Sequence, residues 1–184
     1  APPMVATFHA SIEQYPRALH IFERYLRSYL TPLSRAIFVS PAAGRTADHY
    51  LPEDIGRTVI PNGIDRSAYL RATPDAQWQG TAEHPTIGFL GRLEEERKGF
   101  PVFVDAAQQV LRQYPGARFL VVGDGRKDAE KTILEREDGE GLLEHFEFLG
   151  RVDDDDKARF YKSLDVYVAP QTGGESFGIV LAEA

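Results

Sequence analysis

The chain contains no cysteine, and only one methionine and one tryptophan among its 184 residues. It therefore holds no disulfide scaffold, zinc–thiolate centre or cysteine nucleophile. It has no apolar run near the ~18 residues that cross a bilayer. Its 16 glycines and 12 prolines follow no repeat, which excludes collagen-like and low-complexity chains. Positive charge is in deficit, 21 Lys and Arg against 28 Asp and Glu, for a net charge of −7. Bulk nucleic-acid binding is not expected, and any basic site must be local. The start, Ala1-Pro2-Pro3-Met4-Val5, lacks the basic flank and apolar core of a secretory signal, so a cytosolic protein is the default expectation. What remains, at 42% hydrophobic and 27% charged, suits one soluble domain or one domain plus part of another.

Both ends read as cut. The first residues run straight into the apolar stretch 4–8, and the last ten, 175–184, stop inside a helical pattern without a capping glycine. An internal fragment of a longer protein is expected. Along the chain, apolar β-branched runs alternate with helical periods. Residues 4–8 predict a strand ending at His9. Leu19, Phe22, Leu26 and Leu30 predict an amphipathic helix over 16–30. A strand over 35–40, a helix over 42–50 and a strand over 58–61 follow, the last running into the turn pair Asn62-Gly63. No clean period survives over 65–85, which reads as a domain linker between a first domain at 1–64 and a second at 86–184. The second series predicts strands at 86–91, 118–123, 146–150 and 165–170, helices at 100–114, 127–137 and 154–163, and a further helix beginning near Phe177. Such alternation implies right-handed βαβ units and an α/β fold with a parallel sheet. Ligands of such sheets bind outside the carboxyl ends of the strands.

The residues at those ends carry the chemistry. After the first strand of the second series, Arg92 and Lys98 flank a glycine turn; an arginine grips phosphate with two donors and a lysine adds a point charge. Taken alone, the same cations also fit a solvated loop paired with Glu94–Glu96. Gly123-Asp124-Gly125 lacks the third glycine of the dinucleotide fingerprint and fits either a close backbone approach or a plain turn. The aspartates at 153–156 suit a capped helix N-terminus better than a metal site, and one of them could accept guanine N1–H and N2–H. Gly173-Gly174 frees the backbone before a helix start that would offer N–H groups to a phosphate. Glu175 and Glu183, eight apart, could hold sugar and ribose hydroxyls, although Glu183 alone also fits a solvated helix face. His9 fits a turn or packed ring as well as a functional group. His20, His49, His84 and His145 show no metal-ligand spacing and receive no role.

Together, Phe8-His9, Ser40, Ile60-Pro61-Asn62-Gly63-Ile64-Asp65, Gly91-Arg92, Arg97-Lys98-Gly99, Gly123-Asp124-Gly125 and Glu175-Ser176-Phe177-Gly178 through Glu183 resemble the retaining glycosyltransferases of the GT-B fold. The last segment matches that family's E-x7-E motif. Thr7-Phe8-His9, Val152-Asp153-Asp154 with Lys157, and Gly173-Gly174-Glu175 make the chain look most like the phosphatidylinositol mannosyltransferases. The resemblance implies the end of an N-terminal Rossmann-like domain followed by an incomplete nucleotide-sugar-binding domain. It implies transfer of mannose from GDP-mannose, with retention, to phosphatidylinositol, without cofactor or essential metal, in a peripheral protein at the inner face of the plasma membrane. Arg92 and Lys98 would bind the diphosphate and steady the leaving group. Val152, Asp154 and Lys157 match the guanine side, and Glu183 would contact the ribose. Glu175 would orient the mannose, the Phe177-Gly178-Ile179 backbone would meet sugar and phosphate, and His9 would face the donor sugar. The family's glycine-rich loop, its acceptor-contacting helices and its C-terminal crossover are not among these residues, so the 184 residues alone are expected to be inactive. A retaining enzyme using another donor such as UDP-glucose, and a non-catalytic nucleotide-sugar-binding domain, are the alternatives. An oxidoreductase is disfavoured by the missing G-x-G-x-x-G.

Overall fold

The computed structural model describes residues 2–10 and 21–184. By its internal contacts the chain divides into two units: 1–63 with 174–179, and 64–173 with 180–184. In the first unit, β1 (Met4–Phe8), β2 (Leu33–Phe38) and β3 (Gly56–Val59) form a parallel sheet in that order. Helix α1 (Glu23–Leu30) joins β1 to β2. Residues 16–20 of the helix expected over 16–30 lie outside the described residues. Strand β2 stops two residues before the expected Ser40, because Ser40 caps α2 (Pro41–Asp48) and accepts the Ala43 N–H at 3.1 Å. Pro41 suits the first turn, where an N–H would lack a partner. Ala36, Phe38, Ala47, Leu51 and Ile55 form this unit's core.

The second unit starts with α3 (Arg66–Arg71), inside the stretch that lacks a clean period. Asp65 caps it by accepting the Ser67 N–H at 2.8 Å. Six residues are too few to display a helical period, which is why the pattern hides it. Strands β4 (Thr86–Leu90), β5 (Arg118–Val122), β6 (Phe146–Gly150) and β7 (Val166–Tyr167) form a parallel sheet in the order β6-β5-β4-β7. Along β5 successive side chains serve opposite faces. Phe119 and Val121 join the core beneath α4 (Phe100–Leu111), while Leu120 and Val122 pack with Phe160 of α7 (Asp154–Ser163). Phe103, Phe119 and Phe146 mesh at ring separations of 5.0–6.0 Å.

Several spans differ from the pattern-based expectation, α4 among them, which ends at Leu111 rather than at Tyr114. Helix α5 (Arg126–Leu134) ends short of 137, and a separate α6 (Gly139–Leu143) follows, because Asp138 adopts the left-handed conformation at φ 53°. Strand β7 is two residues long rather than six: the Asp165 carboxylate accepts the Thr86 N–H at 2.8 Å, and Pro170 has no N–H for a ladder. Helix α8 (Ile179–Glu183) starts after Gly178 rather than near Phe177, because Gly178 sits at φ +74°, which a helix interior does not admit.

Candidate nucleotide-sugar site

The carboxyl ends of β4, β5 and β6 are tied into one floor. Gly91 N–H donates to the Val122 carbonyl (3.0 Å), Leu93 N–H to Asp124 (2.9 Å) and Gly123 N–H to Gly150 (2.9 Å). Gly123 has φ +143°, and a Cβ there would lie 1.8 Å from the Gly91 carbonyl oxygen, so only glycine permits this approach. Gly99 meets the same condition after β4: φ is +78°, and a Cβ would strike the Pro170 carbonyl oxygen at 1.9 Å. Above this floor lies a cleft of about 380 Å³ whose walls include Arg92, Arg97, Lys98, Arg151, Val152 and Lys157.

Arg92 is exposed and pairs with Glu95, which also holds Arg97 at 2.6 Å. The arginines of this loop pair with an acid and also line the cleft. Val152 is half-buried against the core of the α7 face. Lys157 joins Glu183 at 3.0 Å and Asp154 at 3.3 Å. Lys157 and Glu183 are only 21% and 12% exposed, whereas Asp154 is 93% exposed. Among the aspartates, Asp153 caps α7 by accepting the Asp156 N–H at 2.8 Å, and Asp156 pairs with Arg159 at 3.1 Å. Among the described residues no three His, Asp or Glu side chains gather as a metal-holding group.

Burial, the largest single influence, lowers the affinity of Lys157 for its proton. Hydrogen bonds to Glu183 and Tyr69 and the charge of Glu183, with a further bond to Asp154, outweigh it and hold the ammonium above the ordinary lysine value. Burial likewise raises the Tyr161 phenol, with Tyr167, Glu183 and Tyr69 acting in the same direction. The lysine is thus a fixed cation beside the Glu183 carboxylate.

Glu175, Phe177, Gly178 and Ile179 lie in the segment that groups with the first unit, as does His9. There the Ser176 hydroxyl donates to the His9 carbonyl, and the Ser40 hydroxyl donates to the Ser176 carbonyl. His9 is exposed at the end of β1, Glu175 and Phe177 are half-buried, and Gly178 is buried. The structure therefore gathers Arg92, Lys98, Val152, Asp154, Lys157 and Glu183 in the second unit, and His9 with residues 175–179 in the first. Arg151 escaped the reading of the sequence, and Arg97 entered it only as part of a family motif. Arg151 directly follows the glycine that ends β6 and pairs with Asp124 at 2.5 Å, a position that strand-end logic alone would have singled out.

A family model for glycosyl transferases group 1 matches residues 84–184, more than half of the chain. The chain belongs to this family. Among curated relatives, the phosphatidyl-myo-inositol mannosyltransferase of Mycobacterium tuberculosis (strain ATCC 25618 / H37Rv) is 41% identical over 99% of this chain and 46% of its own length. The protein of the same name from Propionibacterium freudenreichii is 37% identical over 99% of this chain and 43% of its own length. The chain thus spans about half the length of the curated relatives it matches. The crystal structure of Anabaena Alr3699/HepE in complex with UDP superposes with a TM-score of 0.75 at 24% identity, over 99% of this chain and 50% of that one. The fold is α/β with parallel sheets, of the GT-B glycosyltransferase kind. Among the described residues no helix is long and apolar enough to cross a membrane.

Proposed function

We propose that the protein is a retaining mannosyltransferase that moves mannose from GDP-mannose to phosphatidylinositol, acting peripherally at the inner face of the membrane. The observation that carries this reading is the cleft at the strand ends, which combines glycine turns, Arg92 and Lys98 with a lysine held by a carboxylate. Family membership supports the transferase class. The names of the mycobacterial and propionibacterial relatives support mannose as the sugar and phosphatidylinositol as the acceptor.

In this reading Arg92 and Lys98 bind the donor diphosphate and offset the charge that grows on departing GDP, in place of a bound metal. Arg92 exchanges Glu95 for a phosphate, which its planar fork fits with two donors. Asp154 accepts the guanine N1–H and N2–H, Val152 and Lys157 border the base, and Glu183 takes the ribose hydroxyls. Glu175 orients the mannose, His9 faces it, and the backbone of Phe177-Gly178-Ile179 meets sugar and phosphate. The acceptor hydroxyl attacks the anomeric carbon on the face from which the phosphate leaves, and the departing phosphate oxygen takes its proton. Glu175 then acts by positioning and charge rather than as a nucleophile.

Calorimetry on this chain with GDP-mannose, UDP-glucose, GDP and UDP at matched salt tests the donor assignment. GDP is expected to bind more tightly than UDP. Asp154→Ala is expected to weaken GDP by ~1–3 kcal/mol, the range for a lost hydrogen bond to a charged group, and to leave UDP unchanged. Equal binding of the two diphosphates overturns the guanine assignment. A preference for UDP moves the donor to a UDP-sugar. Turnover of GDP-mannose and phosphatidylinositol by the full-length protein tests the transfer itself.

A further inference from the structure

Two of the cations that wall the cleft share a single acid. Arg92 Nη1 lies 2.5 Å from Glu95 Oε1, and Arg97 Nη2 lies 2.6 Å from Glu95 Oε2. Each carboxylate oxygen thus faces one guanidinium, and Oε2 is shut off from solvent. The backbone brings the three residues together. The Glu95 N–H donates to the Arg92 carbonyl at 3.3 Å, and the Glu95 carbonyl accepts the Lys98 N–H at 2.8 Å, which opens the single 3-10 turn Glu96–Lys98. Gly99, at φ +78°, closes that turn.

The two arginines are not equal partners. The Arg97 carbonyl accepts the Thr172 N–H at 3.0 Å, and its side chain is 37% exposed. Arg92 donates to Glu95 through Nη1 and is 69% exposed. An ion pair so open to water is worth little and yields to a better partner. Charge fixes the consequence. One carboxylate between two guanidinium groups cancels half the charge they present to the cleft. An anion that needs Arg92 must take it from Glu95. A diphosphate succeeds because it carries more charge than a carboxylate and offers paired oxygens to the planar fork.

We infer that Glu95 is an internal competitor for the donor diphosphate: it holds Arg92 while the cleft is empty, yields it when a diphosphate enters, and keeps Arg97 throughout. This rests on the reading of the cleft as the nucleotide-sugar site. Affinity at the diphosphate end is thereby held below what the arginines alone would give. The same contact favours release of the nucleoside diphosphate after transfer, because Glu95 recaptures Arg92. The nucleoside end is not affected.

Calorimetry with inorganic pyrophosphate, GDP and guanosine tests it on the unchanged chain, Glu95→Gln, Glu96→Gln, Arg92→Met, Lys98→Met, and the double variant of Glu95→Gln with Arg92→Met. Glutamine keeps the shape of Glu95 and an acceptor for Arg97, and gives up the charge. Glu95→Gln is expected to tighten pyrophosphate and GDP about 2- to 5-fold, the size of a partly exposed ion pair, and to leave guanosine unchanged. Glu96→Gln removes the same charge one residue along and is expected to give a smaller gain. With Arg92→Met in place, Glu95→Gln is expected to give none, because the two act through one contact. Weaker or unchanged pyrophosphate binding in Glu95→Gln would overturn the competition and make Glu95 a scaffold for the loop. Equal gains from Glu95→Gln and Glu96→Gln, a gain that survives Arg92→Met, or altered guanosine binding would overturn it as well and leave the donor reading standing. Unchanged binding of pyrophosphate and GDP in both Arg92→Met and Lys98→Met would overturn the donor reading itself.

Discussion

In the second unit, β4 and β5 are each buried over four of their five residues, whereas β1 and β3 of the first unit have no fully buried residue. Both sheets are parallel, but among the described residues only the second has buried clusters on both faces. Two cores flank the second sheet, one around Phe89, Phe103 and Phe119 and one around Leu120 and Phe160. Among the described residues, the first unit shows one small core, around Ala36 and Phe38. A parallel strand is most stable when covered on both sides, and local opening is suppressed where apolar burial is dense. The comparison teaches where a rigid template is available. The loops that line the cleft spring from the buried strands, so Arg92, Lys98 and Lys157 are presented from a fixed base. His9 follows an exposed strand, and its loop depends on the two serine hydrogen bonds made by Ser40 and Ser176.

The largest effect is expected from cutting the dense core. Phe103→Ala should destabilise the second unit by about 3–5 kcal/mol in denaturant titration, while Val5→Ala on β1, 57% exposed, should stay within about 0.5 kcal/mol. Similar losses at the two positions would break the contrast between the sheets.

A smaller loss is expected where the template meets the site. Gly123→Ala must carry a side chain at φ +143° against the Gly91 carbonyl. It should cost about 1–3 kcal/mol and disturb the Arg92 loop, so GDP affinity should fall together with stability. An unchanged thermal midpoint with unchanged affinity would show that the floor is softer than its hydrogen bonds imply.

The smallest effect concerns pH. Lys157 is held above the ordinary lysine value of 10.5, so its contribution is fully present below that value and is lost as pH rises through the higher folded value. The gap in melting temperature between the unchanged chain and Lys157→Met, corresponding to on the order of 1 kcal/mol, should stay constant through neutral pH and narrow only in strong alkali. A gap that closes near neutrality would show that the Lys157–Glu183 pair is not formed as described.

Much of this molecule was legible in its residues because the signals are local. The run Arg118–Val122 reads as a buried strand from its own apolar side chains, and β6 and α7 match their expected bounds because Phe146 and Asp154 mark their starts. Helix α3 was not legible, since six residues show no period, and neither was α6, which depends on the backbone conformation of one residue, Asp138. At the site, Arg92 and Lys98 stand out because they follow a strand and a glycine. Tyr69 does not, because its ring comes within 6.0 Å of the Lys157 ammonium only through folding.

The residues alone set the alternation of strands and helices, the parallel α/β class and the family motifs at the strand ends. Each of these is set by neighbouring residues, through side-chain periodicity and turn chemistry. Only the tertiary structure decided that Lys157 pairs with Glu183 and Asp154, that Gly123 must stay bare beneath Gly91, and that residues 174–179 group with the first unit while Glu183 groups with the second. The physical reason is that these are contacts between distant positions, fixed by how the sheet is packed, and no local pattern encodes a partner that folding has yet to bring near.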